Sequence, residues 1–169
     1  MGSGKSTIAP ILANTLGYAF FDIDEEIEKL TGKKISEIFD ESGEEHFREI
    51  ERSLLAQASA RTGCVVSLGG GTVASEPNLK VVKDSGVLVY LKADPELIYR
   101  RVKFKTDRPL LKSADGKPLS DDELRDTIRS LLAAREPFYS KADVIVAVDD
   151  RTVGLMIDEI IRSIKDMIE

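Results

Sequence analysis

Apolar side chains recur at helical spacing from the first residues, with Ile8, Ile11, Leu12 and Leu16 following Thr7 on one face. Gly17 closes that helix, because glycine takes the left-handed conformation of a helix end without strain. Tyr18, Ala19, Phe20 and Phe21 form a continuous apolar run, which predicts a short buried strand ending at Asp22. Helices are predicted around 24–31 and 35–41. Gly43 then breaks the chain before a longer helix through Phe47, Ile50, Leu54, Leu55 and Ala58. A second strand over 64–68 runs straight into Gly69, Gly70 and Gly71. A helix over 78–85 leads to a strand over 87–91, and Pro95 opens the next helix at its tolerated first turn. The stretch 103–118 is polar and aperiodic. Helix returns over 119–135, a last strand covers 144–148, and Ile157, Ile160, Ile161 and Ile164 stripe a closing helix. Strands alternating with helices, each strand a continuous apolar run, predict an α/β fold with a parallel sheet covered on both faces.

At 169 residues the chain has the length of one domain. No apolar stretch approaches membrane-spanning length. Net charge is −6, from 24 basic and 30 acidic residues, which disfavours nucleic acid as a partner. An acidic chain that binds an anion must gather positive charge locally. Lys5, Arg48, Arg101, Arg108 and Arg135 each fall beside a predicted structural transition. The single cysteine, Cys64, excludes an internal disulfide and reads as a small buried residue, so the cytoplasm is the expected compartment.

Gly2-Ser3-Gly4-Lys5-Ser6-Thr7 matches the end of the phosphate-binding pattern G-x-x-x-x-G-K-[ST]. Backbone N–H groups around Gly2 and Gly4 can curl toward a phosphate, Lys5 can reach the β- and γ-phosphates, and the Ser6 hydroxyl can ligate Mg²⁺. The loop feeds a helix N-terminus, which favours anions. The competing reading is an expression scar, Met-Gly-Ser, that happens to precede Gly-Lys-Ser. In a parallel sheet, ligands gather at the carboxyl ends of the strands. Asp22 and Asp24 stand at such an end, two residues apart. Asp24, before Glu25-Glu26-Ile27, also fits a helix N-cap. Capping needs one carboxylate, so Asp22 is expected near the magnesium and Asp24 near the hydroxyl to be phosphorylated. Three glycines in succession after a strand weaken the backbone, and predict that something approaches it closely. A plain turn would need one or two. His46, on a charged helix, reads as a surface or boundary residue.

The ordered set of Gly2 to Thr7, Asp22-Ile23-Asp24, Gly43-Glu44 with Phe47-Arg48, Gly69-Gly70-Gly71, Arg108-Pro109-Leu110-Leu111 and Arg135-Glu136-Pro137-Phe138-Tyr139 resembles shikimate kinase over nearly the whole chain. The resemblance implies a P-loop NTPase fold of three αβα layers, with sheet order 2-3-1-4-5 and a mobile lid. It implies a monomer that uses ATP and Mg²⁺ to phosphorylate the 3-hydroxyl of shikimate in aromatic amino-acid biosynthesis. Gly2, Ser3, Gly4, Lys5, Ser6 and Thr7 would then cradle the nucleotide, and Ser6 and Asp22 would hold the metal. Asp24 would bind substrate hydroxyls and take the proton. Arg48 and Arg135 would clamp the carboxylate, and Gly69, Gly70 and Gly71 would lie against the ring. Arg108 would meet the phosphates from a lid at about 103–118, with substrate-binding helices at about 24–60. Arg101 and Arg151 would contact adenine. Arginine rather than lysine at 48 and 135 suits a carboxylate, which a planar guanidinium holds with two bonds.

Relative to that family the residues begin inside the phosphate loop, without its leading glycine and first strand. The expectation is a native start roughly ten residues earlier, about one strand plus its loop. In the family order, 64–68 and 87–91 flank that strand, so they are expected about 9.6 Å apart with an open slot between them. A gluconate or nucleoside monophosphate kinase would share the loop and lid, but gives no reason for Arg48, Arg135 and three glycines around one carboxylate. A non-catalytic nucleotide-binding module would keep Lys5 and Ser6 and have no use for Asp24.

Overall fold

The computed structural model describes residues 2–104, 119–149 and 151–168. Its elements run α1 (Lys5–Leu16), β1 (Ala19–Asp22), α2 (Ile23–Thr31), α3 (Ile35–Ser59), β2 (Cys64–Ser67), α4 (Glu76–Ser85), β3 (Val89–Ala93), α5 (Pro95–Val102), α6 (Asp121–Tyr139), β4 (Val144–Val148) and α7 (Val153–Ile168). Local chemistry sets these limits. Ser75 caps α4 by accepting from the Asn78 N–H, Asp94 caps α5 just before Pro95, and Ser120 with Glu123 closes a capping box on α6. Gly43, at φ 80° and ψ 171°, breaks α3 into two helices at the predicted place. The predicted excursion over 103–118, with Arg108, lies outside the described residues apart from its first two positions.

Two boundaries move, each for a visible reason. The strand expected over 87–91 pairs only from Val89 to Ala93, because Asp143 binds the chain just before it. The helix expected to end at 135 continues through Pro137 to Tyr139. That extra turn carries the tyrosine back to the glycine turn.

β1 runs parallel to β2, with Ala19 opposite Cys64 and Asp22 opposite Ser67. β3 runs parallel to β4, with Val89 opposite Val144 and Ala93 opposite Val148. Among the described residues no ladder joins β2 to β3. A cleft of about 500 Å³ lies between them, lined by Val65 and Ser67 on one side, Val89 and Leu91 on the other, and Ile8 and Ile160 from the helices. Each of these strands thus keeps one expected neighbour, and the two do not pair with each other.

The sheet is not covered on both faces throughout. β1 pairs on one edge only, leaving Phe20 36% exposed, and β4 alternates buried and exposed with Ile145 at 47%. Both are outer strands, and only their inward residues reach a core. Cys64 is half-buried rather than buried, because it lies on β2 at the inter-strand cleft. One core gathers Ile98, Ile128, Val146 and Ile160 between α1, α5, α6, α7 and the β3–β4 pair. A second gathers Ile23, Ile27, Phe47 and Leu54 against β1 and β2. No helix among the described residues is long and apolar enough to cross a membrane.

Asp143 ties the second half together. Its carboxylate accepts from the Leu88 N–H at 2.9 Å and from Lys83 Nζ at 2.7 Å. Partial burial opposes the charge, but these hydrogen bonds outweigh it and hold the carboxyl below its ordinary value. A carboxyl held low stabilises the fold above its unfolded value of about 3.9, and that contribution is lost as pH falls through the folded value. Asp143→Asn is therefore expected to unfold more readily at pH 7, with the difference from the parent shrinking below about pH 4. Urea midpoints at pH 7 and pH 3 check this, and an equal gap at both would remove the ion pair from the account.

Candidate active site

Gly2 and Gly4 sit at φ 64° and 100°, in the left-handed region that the loop requires. A Cβ on Gly2 would lie 3.0 Å from Val102 Cγ1, so the loop also packs too tightly on α5 for a side chain there. Gly4 is the N-cap of α1 and supplies no side-chain cap, which leaves the helix N-terminus open to an anion. Ser3 is buried within the loop, while Ser6 and Thr7 are exposed in the first turn of α1. Arg101 Nη1 donates to the Gly2 carbonyl at 3.2 Å, bracing the loop from α5.

At the end of β1 the two aspartates divide their roles in the order opposite to the capping alternative. Asp22, not Asp24, caps α2, its Oδ1 accepting from the Glu25 N–H at 3.2 Å. Asp24 lies in the first turn of α2, with Oδ1 only 3.1 Å from where a Cβ on Gly69 would stand. The first strand end and the glycine turn therefore meet at Asp24.

The three glycines follow β2, and none has positive φ. Space, rather than torsion, favours glycine at two of them. A Cβ on Gly69 would crowd Asp24 Oδ1, Thr72 Oγ1 and Glu51 Oε1, and one on Gly71 would fall 2.5 Å from Arg48 Nη2. The group that approaches this backbone is thus the Arg48 guanidinium. Arg48 Nη1 donates to Glu51 Oε2 at 2.8 Å, and its Nη2 and Nε donate to Glu44 Oε1 at 2.9 and 3.2 Å. Burial works against the arginine's charge, but Glu51 and Glu44 outweigh it and hold the guanidinium above its ordinary value. Glu51 is 1% exposed and its other oxygen accepts from the Thr72 hydroxyl at 2.6 Å.

Arg48, Gly71 and Arg135 line one cavity of about 430 Å³, with Glu44 and Arg52 at its α3 side. Arg135 also lines the inter-strand cleft together with Lys5, Gly69 and Gly70. It therefore stands between the phosphate loop and the guanidinium-lined cavity. Arg151 lines neither of these two cavities. Its guanidinium donates to the Ala147 carbonyl at 2.8 Å and pairs with Glu159 and Asp149, at the turn from β4 to α7. His46 is exposed near Glu49, as its neighbours predict.

The sequence model described as shikimate kinase matches residues 1–167. The chain is 44% identical to the shikimate kinase of Chlorobaculum parvum, over 97% of this chain and 88% of that one. It is 47% identical to one from Chlorobium phaeobacteroides, over 96% of this chain and 86% of the relative. This chain belongs to the shikimate kinase family. Two solved structures agree in fold, each at 32% identity. Shikimate kinase from Bacteroides thetaiotaomicron superposes with a TM-score of 0.88 over 98% of this chain and 94% of that one. The enzyme from Acinetobacter baumannii, in complex with shikimate, gives 0.89 over 99% and 89%.

Three residues at this candidate site were given no role by the sequence reading: Glu51, Thr72 and Tyr139. Glu51 carried a usable signal, since 47, 51, 54, 55 and 58 form one helix face and the other four are apolar. A carboxylate on that stripe must be buried and paired. Thr72 carried none, because its partner comes from a distant part of the chain, and Tyr139 was legible only as the end of the run from Arg135. Gly71→Ala is expected to push Arg48 off Glu51 and destabilise the chain by about 1–3 kcal/mol. Gly86→Ala, with open space around its added Cβ, should stay within about 0.5 kcal/mol of the parent. Urea denaturation of both checks this, and equal midpoints would mean Arg48 yields without loss.

Proposed function

We propose that this chain transfers the γ-phosphoryl group of ATP to the 3-hydroxyl of shikimate, giving shikimate 3-phosphate and ADP in aromatic amino-acid biosynthesis. The observation that carries this reading is the cavity shared by Arg48, Gly71 and Arg135, adjoining Asp24 through the glycine turn. Two guanidinium groups suit a carboxylate, and a carboxylate base beside the turn suits a hydroxyl. The shikimate complex of the Acinetobacter baumannii relative supports the same substrate.

The open N-terminus of α1 and the left-handed glycines fit a polyphosphate, with Lys5 toward its β- and γ-phosphates. Mg²⁺ uses one or two protein oxygens plus phosphate and water, and a hydroxyl with a carboxylate is such a donor set. Ser6 and Asp22 would hold it, and Asp22 retains a second carboxylate oxygen beyond its cap. When bound, the ion neutralises charge on the phosphates. Arg108, outside the described residues, is the arginine assigned to the phosphates, and Arg101 to the nucleotide side of the loop it braces.

At the other end, Glu44 is the exposed partner of Arg48 and Glu51 the buried one. The substrate carboxylate displaces Glu44 from the guanidinium fork while Glu51 keeps its hold. Asp24 orients the 3-hydroxyl and accepts its proton as oxygen attacks the γ-phosphorus. The bond from that phosphorus to the bridging oxygen breaks, and ADP leaves. One chain supplies every residue in this scheme, so a monomer suffices.

A coupled assay with shikimate, gluconate and AMP side by side tests the reading. Turnover is expected with shikimate, and Asp24→Asn should lower kcat about 10²–10⁴-fold while nucleotide binding persists. Preference for gluconate or AMP would reassign the substrate, and near-normal turnover of the variant would move the base elsewhere.

A further inference from the structure

The carbonyls of the glycine turn are held in two different ways. Gly69 O accepts from the Thr72 N–H and Gly71 O from the Ala74 N–H, both within the turn. Gly70 O accepts instead from the Tyr139 hydroxyl at 2.5 Å, across 69 residues of chain. The Arg135 side chain, one turn back on α6, lies beside the same hydroxyl and lines one cleft with Tyr139 and Gly70. A single hydroxyl thus stands between the turn and the arginine.

We infer that Tyr139 is a positioning residue, whose hydroxyl fixes Arg135 and the Gly70 carbonyl in one geometry and so sets the shape of the carboxylate-binding cavity. This rests on the proposed shikimate kinase activity. The surroundings leave the ring little freedom. It packs on Tyr90 with centroids 4.8 Å apart, and Tyr90 is itself set against Glu136, which Lys92 holds at 2.7 Å. The end of α6 is tied to α4, with Lys141 Nζ 2.5 Å from Glu76 Oε1 and Lys83 Nζ donating to the Lys141 carbonyl at 2.8 Å. A glycine triplet has no side chains to hold its own backbone, so an external anchor on its middle carbonyl removes its main freedom. Burial pushes the Tyr139 hydroxyl up from its ordinary value against the opposing pull of Arg135, so it stays protonated and able to donate at neutral pH.

Tyr139→Phe removes the oxygen and keeps the ring on Tyr90. The expected result is a KM for shikimate raised about three- to tenfold, the size of one hydrogen bond, with kcat and the KM for ATP within about twofold. In a double variant with Arg135→Lys the two effects on shikimate KM should combine to less than their product, because one removes the other's partner. Amide hydrogen exchange over 69–74 should be about threefold faster or more in Tyr139→Phe, a readout that needs no substrate. Unchanged shikimate KM, fully multiplicative effects, or unchanged exchange at the turn would each overturn the inference. Failure of the parent chain to phosphorylate shikimate would instead strike the proposed function, and the exchange experiment would still decide whether Tyr139 anchors the turn.

Discussion

A buried carboxylate holds the site together. Glu51, out of contact with water, is balanced by one guanidinium nitrogen of Arg48 and one hydroxyl of Thr72. A charge taken out of water is tolerable only with such partners, and removing one leaves it uncompensated. Because the two partners stand on α3 and on the turn after β2, the pairing fixes one element against the other. It also brings the Arg48 guanidinium against Gly71, where an added Cβ would displace it. The helix that presents the arginine, the turn that receives it and the glycine between them therefore form one arrangement.

The remainder of the site is built outward from that arrangement. Asp24 reaches the same turn from the end of β1, and Arg135 faces it from α6. Lys5 and the phosphate loop stand across the cleft, braced by Arg101. Two parallel strand pairs carry these pieces, β1 with β2 and β3 with β4, so the site straddles both halves of the sheet. Contacts that cross between halves, such as Tyr139 to Gly70, consequently set its width.

The sequence revealed the elements better than the contacts. Glycine and proline punctuation located the break at Gly43 and the start of α5, since their backbone limits are local. Arg48, Arg135 and the glycine triplet were legible as a set, and the structure places Arg48, Gly71 and Arg135 on one cavity. What approaches the glycines was not legible, because it is a side chain 23 residues earlier that is turned inward by Glu51. Which of Asp22 and Asp24 caps α2 could not be read from spacing, since either can cap a helix and only backbone direction decides. Strand burial was overestimated for Phe20 and Ile145, because an apolar residue on an outer strand has a neighbour on one side only.

The direct test of the Glu51 arrangement is calorimetric titration of Glu51→Gln with shikimate and, separately, with ATP. Glutamine keeps the shape and loses the charge that holds Arg48. The account predicts shikimate affinity weakened about tenfold or more, the size of a charge-assisted hydrogen bond, with ATP affinity unchanged and unfolding still cooperative. Full shikimate affinity in a folded variant would contradict it, and would mean Arg48 finds its position without the buried carboxylate.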